Sequence, residues 1–244
     1  MNKLKNLIER KDVKSLTEIV KDEKTDYETL VLLAKNLNTP VEILKELAEK
    51  NIKSINYILI HNSSTPDNIL ESFFEKNDDY LTIALASGLS TPANILKKLV
   101  EKNVTKINIV LAQNPATEIK ILEQFFECNL DMYNTGLAKN PSTPVEILEK
   151  LADRNDRIYY MGEYYNGYGY FLSQNPSTPP EILKRLIDKD VEILIDKKYY
   201  KGYCYFLAEN PSTPVETLKR LILNDNYDIR NNAERTLEKL KKGE

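Results

Sequence analysis

Tryptophan is absent from this chain of 244 residues, and histidine, cysteine and glycine are scarce, with one, two and seven copies. The one histidine, His61, has no second histidine with which to form a His-based metal site or an acid–base pair. Cys128 and Cys204 show no metal-binding or redox spacing, and we interpret both as packing residues. So few glycines leave no phosphate-cradling loop. These absences argue against an enzyme and predict no catalytic residue, no bound metal and no cofactor.

Long apolar runs are also missing, so the sequence predicts no membrane span and no membrane partner. The first 14 residues carry four lysines and one arginine without an apolar segment, so no secretory signal is predicted. With only two cysteines, the expected location is the cytoplasm. The net charge of −3 gives no general attraction to nucleic acid or anionic lipid.

One short phrase occurs seven times and determines the organisation of the chain. It reads L-A-x-N-x-S-T-P-x-E-I-L-x-x-L, and successive copies are 26 residues apart four times and then 35 residues apart twice. A fixed period in this range is typical of a solenoid, in which each unit buries its apolar face against its neighbours. The threonine of the phrase falls at Thr39, Thr65, Thr91, Thr117, Thr143, Thr178 and Thr213.

Each copy carries signals for the start of a helix. In the fifth copy, Thr143 occupies the predicted N-cap, Pro144 the first helical position, and Glu146 the position three residues after the threonine. This combination is a capping box, and we predict a helix of about ten residues after it. A leucine at the position of Leu148 in every copy belongs to an apolar stripe that is predicted to line the core.

A second helix is predicted before each threonine. Its last turn contains a leucine in every copy, and three residues later stands asparagine in six copies and Gly88 in the other. Because asparagine and glycine adopt positive φ most easily, we predict that this residue ends the helix in the left-handed conformation. The unit of 26 residues leaves little room for this helix, so 3₁₀ character is expected.

These patterns predict a single all-α solenoid domain over residues 1–244. Residues 1–30 hold a degenerate helical pattern that we interpret as an N-terminal cap. Residues 31–224 hold the seven repeats, and residues 225–244 form a polar closing helix.

The phrase, in the form found at residues 137–148 and 207–218, resembles the variant leucine-rich repeat (LRV) family. The resemblance covers roughly residues 30 to 240. It implies a right-handed, HEAT-like superhelix of alternating α- and 3₁₀-helices, and it implies no common activity. Some family members carry a cysteine-rich N-terminal segment that binds an iron–sulfur cluster. This chain has no cysteine before Cys128, so that function is not carried over.

The two longer intervals contain matched aromatic inserts. They share the sequence Y-Y-x-G-Y-x-Y-F-L, at residues 164–172 and 199–207, and with Tyr159 and Tyr160 they hold ten of the fifteen tyrosines. Asn166-Gly167 suits a two-residue hairpin turn, and alternating tyrosines suit a β-ribbon. Alternatively, each insert lengthens the second helix. We favour the lengthened helix, because the insert must rejoin the leucine column.

Insertions at one point of a repeat emerge on one face, which is often the binding face. We therefore predict a non-enzymatic scaffold that binds a protein or peptide through a tyrosine-rich surface. The alternative is that the tyrosines pack against one another. Both interpretations hold together if Tyr170, Phe171, Tyr205 and Phe206 point inward and the tyrosines at 164, 165, 199 and 200 are exposed. The predicted site residues are Tyr164, Tyr165, Tyr168, Tyr199, Tyr200, Tyr203, Lys197, Lys198 and Lys201.

Nucleic-acid binding is a second hypothesis, because residues from 180 onward carry a local net charge of +1. The basic residues near the inserts that favour it include Lys184, Arg185, Lys219 and Arg220. A third hypothesis is a structural spacer with no saturable partner.

Overall fold

The computed structural model describes residues 2–154, 157–188, 194–195, 198–199 and 203–243. Nearly all regular structure in these residues is α-helical, and consecutive helices pack along the chain. The prediction of an all-α helical-repeat solenoid is therefore confirmed. The chain divides into two compact units, Met1–Ala116 and Thr117–Glu244, and each has its own stack of helices.

Each repeat contributes two helices, which we call A and B. The A helix follows the Thr-Pro step, and the B helix ends before the recurring asparagine. In the first unit the A helices are α4, α6 and α8, the B helices are α3, α5, α7 and α9, and neighbouring B helices contact one another. The expected 3₁₀ character is not found, because the described B helices of this unit are α-helices of eight or nine residues. The bounds are α1 Asn2–Glu9, α2 Val13–Lys21, α3 Tyr27–Lys35, α4 Val41–Glu49, α5 Lys53–Ile60, α6 Asp67–Glu75, α7 Asp79–Ser87, α8 Ala93–Glu101 and α9 Thr105–Gln113.

The second unit continues the pattern and adds two short hairpins before its later B helices. Its A helices are α10, α12, α14 and α16, its B helices are α11, α13 and α15, and α17 packs on α15 and α16. The bounds are α10 Ile119–Glu127, α11 Asp131–Lys139, α12 Val145–Asp153, β1 Arg157–Tyr160, β2 Glu163–Asn166, α13 Gly169–Leu172, α14 Pro180–Asp188, β3 Leu194–Ile195, β4 Lys198–Tyr199, α15 Tyr203–Glu209, α16 Val215–Leu221 and α17 Tyr227–Lys242.

Both leucine columns lie in the core, as predicted. Burying one leucine side chain stabilises the folded state by about 1.5–3 kcal/mol, so a column shared by every repeat is the main apolar contact of each stack. The A-helix leucines are at most 1% exposed, at Leu44, Leu70, Leu96, Leu122, Leu148, Leu183 and Leu218. The B-helix leucines are fully buried, at Leu33, Leu59, Leu85, Leu111, Leu137, Leu172 and Leu207.

The recurring threonine does not cap the A helix, which corrects the prediction of a capping box. In the fifth copy the N-cap is Pro144, and it makes no side-chain capping hydrogen bond. Thr143 instead donates its hydroxyl to the carbonyl of Leu137 in the preceding B helix, at 2.7 Å. The last carbonyls of a helix lack partners within the helix, so the threonine satisfies one of them. The same bond joins Thr39 to Leu33, Thr178 to Leu172 and Thr213 to Leu207.

The recurring asparagine is not left-handed, which corrects a second prediction. Asn140 has φ −77°, and Gly88 at the equivalent position has φ −69°. The side chain acts instead: Asn175 Nδ2 donates to the carbonyls of Ala138 and Asn140 in the preceding repeat, at 3.1 and 2.9 Å. We call this series of bonds the asparagine ladder, and where it forms it ties one repeat to the one before. Equivalent donors are Asn62 to Ala34 and Asn36, Asn114 to Ala86 and Gly88, and Asn210 to Ser173 and Asn175.

A different asparagine column supplies the left-handed residues. These asparagines follow A helices, have φ between +47° and +53°, and stand at Asn51, Asn77, Asn103 and Asn129. Asparagine tolerates this conformation better than other residues with a β-carbon. Three of them also accept a hydrogen bond from a basic side chain one repeat later, from Lys76 to Asn51, Lys102 to Asn77 and Arg154 to Asn129.

Candidate binding surface

The first tyrosine-rich insert forms a β-hairpin, so the lengthened helix that we favoured from the sequence is wrong. Strands β1 and β2 pair antiparallel over four residues each. The two residues between them, Met161 and Gly162, have φ values of +51° and +91°. Positive φ at both central residues matches a type I′ turn. The turn therefore lies here and not at Asn166-Gly167.

Three of the predicted site residues lie in the core. Tyr165, Tyr168 and Tyr203 are 7%, 1% and 6% exposed. Tyr168 and Tyr203 stand four residues before their B-helix leucines, at the position that buried Ile107 and Tyr133 hold in the regular repeats. All three are packing residues, and their assignment to a binding surface is corrected.

The other six predicted site residues belong to the hairpins or to undescribed parts of the chain. Tyr164 is in β2, and Lys198 and Tyr199 form β4, which pairs antiparallel with β3. Lys197, Tyr200 and Lys201 lie outside the described residues.

Partly exposed rings lie beside this packed layer, on β1 and on two consecutive B helices. We define the aromatic surface as Tyr160 on β1, Tyr170 on α13, and Tyr205 and Phe206 on α15. The rings of Tyr170 and Phe206 lie 5.0 Å apart at 79°, so neighbouring repeats are in ring contact. Fully buried Phe171 packs beneath these rings, and its ring centre lies 5.4 Å from that of Tyr160 and 5.2 Å from that of Tyr170. Of the four rings that the sequence placed inward, only Phe171 is fully buried.

One lysine contacts the same rings. Lys139 ends α11, and its Nζ lies 5.4 Å from the ring centre of Tyr160 and 5.1 Å from that of Phe171. An ammonium over a ring face is attracted by the electron density of the ring. The side chain is half-buried, and burial lowers the pKa of Lys139. Sequence reasoning missed this residue because it precedes the insert and occupies the variable position of the L-A-x-N phrase.

Burial favours the uncharged hydroxyl of two tyrosines around the surface, Tyr168 and Tyr170. Tyr168 donates its hydroxyl to Asp131 Oδ1 at 2.8 Å, and burial raises the pKa of Tyr168 to about 12. Burial, followed by the nearby charge of Glu163, also raises the pKa of Tyr170. The carboxylate of Glu163 accepts a hydrogen bond from Tyr165 at 2.9 Å. Glu163 and Lys139, and not a phenolate of Tyr168 or Tyr170, therefore supply charge at the surface.

The histidine and the two cysteines, the other residues that could take part in chemistry, lie elsewhere. His61 packs on Tyr57, with ring centres 4.4 Å apart. Cys204 is buried, as a packing residue should be, whereas Cys128 is exposed, which corrects its assignment. In the described parts of the chain, no group of three His, Cys, Asp or Glu side chains is placed to hold a metal ion, and no helix has the length and apolar character to cross a membrane.

No family model, curated protein or solved structure matches the chain.

Proposed function

We propose that this chain is a non-enzymatic repeat protein that binds a protein or peptide through the aromatic surface. The supporting observation is the contact of partly exposed rings across two neighbouring repeats, on α13 and α15. Aromatic side chains offer large, rigid contact area at low entropic cost, and they often dominate the binding energy of an interface. A strip of such rings along successive B helices suits an extended peptide better than a small ligand.

Nucleic-acid binding is the less supported alternative. The described basic residues that favoured it from the sequence lie on A helices, with Lys184 and Arg185 on α14 and Lys219 and Arg220 on α16. Arg185 also forms an ion pair with Asp153 at 3.1 Å. Binding of a single strand needs cations along the phosphates beside the stacked bases. The rings of the aromatic surface lie on β1, α13 and α15, and none of these four basic residues is on those elements.

A paired capture experiment tests the proposal. The full-length chain and the variant Tyr170→Gln/Tyr205→Gln are immobilised and exposed to native cell lysate, and bound protein and nucleic acid are both quantified. The control is Tyr27→Gln/Tyr227→Gln, which changes two tyrosines that are 51% and 67% exposed elsewhere. Circular dichroism checks that each variant is folded. The captured protein is then purified and titrated by calorimetry.

We expect the Tyr170→Gln/Tyr205→Gln variant to bind about 30-fold more weakly, since a dominant aromatic contact contributes about 2 kcal/mol. The control variant should bind like the wild type. Equal binding by all three chains would place the site elsewhere. Capture of nucleic acid that is lost with added salt would favour the alternative. Absence of any saturable partner would favour a spacer.

A further inference from the structure

We infer that Lys139 sets the specificity of the aromatic surface: the ligand is a peptide segment that places an aspartate or glutamate carboxylate on the Lys139 ammonium and an apolar side chain on the neighbouring rings. This inference rests on the proposed function and adds the chemistry of the partner.

The Lys139 ammonium lies against aromatic rings and forms no ion pair with a described residue. Its ammonium carries three donors and no acceptor, and the rings of Tyr160 and Phe171 satisfy it only through their faces. Among the described residues, the ion pairs are Lys5–Glu9, Lys21–Glu46, Lys53–Asp78 and Arg185–Asp153, and none includes Lys139. A partly desolvated ammonium without a carboxylate is costly, and burial lowers the pKa of Lys139 accordingly. A ligand carboxylate would offset that cost.

Glu163 is an acidic residue beside the aromatic surface. Glu163 accepts a hydrogen bond from the Tyr165 hydroxyl, and its charge acts on Tyr170. The lowered pKa of Lys139 has desolvation as its cause, with no contribution from Glu163. No ion pair of the described residues joins Glu163 to Lys139, so we take the positive charge as available to a ligand.

Lys139 and the aromatic surface together extend over three B helices. Lys139 is on α11, Tyr170 on α13, and Tyr205 and Phe206 on α15, and these three B helices contact one another in sequence. Packed helices are spaced by roughly 8–10 Å, so the contacts span about 16–20 Å. An extended segment of about six residues covers that distance at about 3.3 Å per residue. Its acidic residue lies at the α11 end and its apolar residues lie towards α15.

The test is a selection from displayed random heptapeptides whose ends are joined to the carrier, so that only side chains supply carboxylates. The baits are the full-length wild type, Lys139→Gln, Lys139→Glu, Tyr170→Gln/Tyr205→Gln and the control Lys150→Gln. Lys150 is a matched control because it is exposed and also lies over a ring, 5.7 Å from the centre of Phe126 on the A-helix side. The best peptide is then synthesised with acetylated and amidated ends and titrated against each chain.

We expect wild type and Lys150→Gln to enrich acidic residues beside phenylalanine, tyrosine or leucine. Lys139→Gln should lose the acidic preference and bind the synthetic peptide about 10- to 100-fold more weakly, as expected for a hydrogen bond to a charged group. Lys139→Glu should enrich lysine and arginine instead.

Two outcomes separate this inference from the proposed function. Peptides that depend on Tyr170 and Tyr205 but show the same acidic content on wild type and Lys139→Gln would overturn the role of Lys139 and leave the peptide surface standing. Absence of enriched peptides, or enrichment that ignores the Tyr170→Gln/Tyr205→Gln change, would overturn both. A requirement for a free C-terminal carboxylate would overturn the internal acidic residue, and Lys139-dependent binding of a single-stranded oligonucleotide in place of peptides would replace the carboxylate by phosphate.

Discussion

Gly88 interrupts the asparagine ladder, and Ile60 occupies the space that the missing side chain leaves. Each ladder asparagine donates to a carbonyl two residues before the equivalent position of the preceding repeat, and that acceptor residue is alanine or serine wherever the donor is asparagine. Before Gly88 the acceptor position holds fully buried Ile60. A β-carbon at Gly88 would lie 3.0 Å from Ile60 Cγ2 and 2.6 Å from Thr91 Oγ1. The Ile60–Gly88 pair therefore replaces the alanine–asparagine pair of the other repeats.

This replacement predicts a strong coupling between two substitutions. Gly88→Asn alone overpacks the site and should destabilise by about 1–3 kcal/mol. Ile60→Ala alone leaves a cavity and should cost about 2–5 kcal/mol. In the double variant the introduced amide fills the cavity and makes two or three hydrogen bonds, each with a net value of about 1 kcal/mol. The double variant should thus be about 2–3 kcal/mol more stable than the sum of the two single effects.

The assay is urea unfolding followed by circular dichroism, with hydrogen exchange of α5 and α7 amides as a local measurement, because repeat arrays need not unfold in two states. The matched control is Ile60→Ala/Gly88→Ala, which removes the contact with Ile60 Cγ2, keeps the contact with Thr91 Oγ1 that the asparagine variant also has, and supplies no amide. Equal stability of this control and Ile60→Ala/Gly88→Asn would refute the reasoning. It would mean that ladder bonds contribute nothing beyond filled volume.

Three further predictions concern the regular repeats. Thr143→Val should cost about 1 kcal/mol, because the Leu137 carbonyl loses the hydroxyl but keeps a backbone donor, while Thr143→Ser should match the wild type in urea unfolding. Asn175→Ala leaves two buried carbonyls without their side-chain donor and should cost about 2–4 kcal/mol, with the loss of exchange protection concentrated in the flanking repeats. The hydrogen bond from Lys53, followed by helix-capping amides, lowers the pKa of Asp78. Its stabilising contribution is present above the unfolded value of about 3.9 and is lost as the pH falls through the folded value, so the urea midpoint of wild type should fall more than that of Asp78→Asn below about pH 4.

The repeated leucines could be read from the sequence because their role depends only on period. A leucine at the same position of all seven copies is expected on the apolar face that stacked repeats share, so the core followed directly. The same reasoning was open to Tyr168 and Tyr203. Counting back four residues from the B-helix leucine places them in the column of Ile107 and Tyr133, which is buried. Composition, which counts them as members of a tyrosine-rich segment, instead predicts that they lie on the surface.

The recurring polar residues could not be read locally, because their partners lie in another repeat or on the other side of a turn. Thr143 and Pro144 match a helix start, yet the hydroxyl bonds backward across the turn. Asn175 resembles a helix-ending residue, yet its amide reaches a carbonyl 37 residues earlier. Lys139 carries no signal at all, because its setting is created by rings from β1 and α13. Contacts of this kind require the register between neighbouring repeats, which periodicity gives only to within a few residues.

The asparagine ladder and the aromatic surface use different residues of the B helices, so a substitution in the ladder should change stability without changing peptide preference. Threonine and asparagine hold the backbone of several B helices from inside, through carbonyls that every residue type provides. The position two residues before the B-helix leucine is not part of that network, and it holds Val31, Tyr57, Ile83, Ile109, Thr135, Tyr170 and Tyr205. Asn175→Ala should therefore lower stability and leave peptide preference intact, whereas Tyr170→Gln should weaken binding and also lower the free energy of unfolding by the ring contacts it loses, each worth about 0.5–1.5 kcal/mol. If Asn175→Ala changed peptide preference as well as stability, the ladder itself would shape the binding surface.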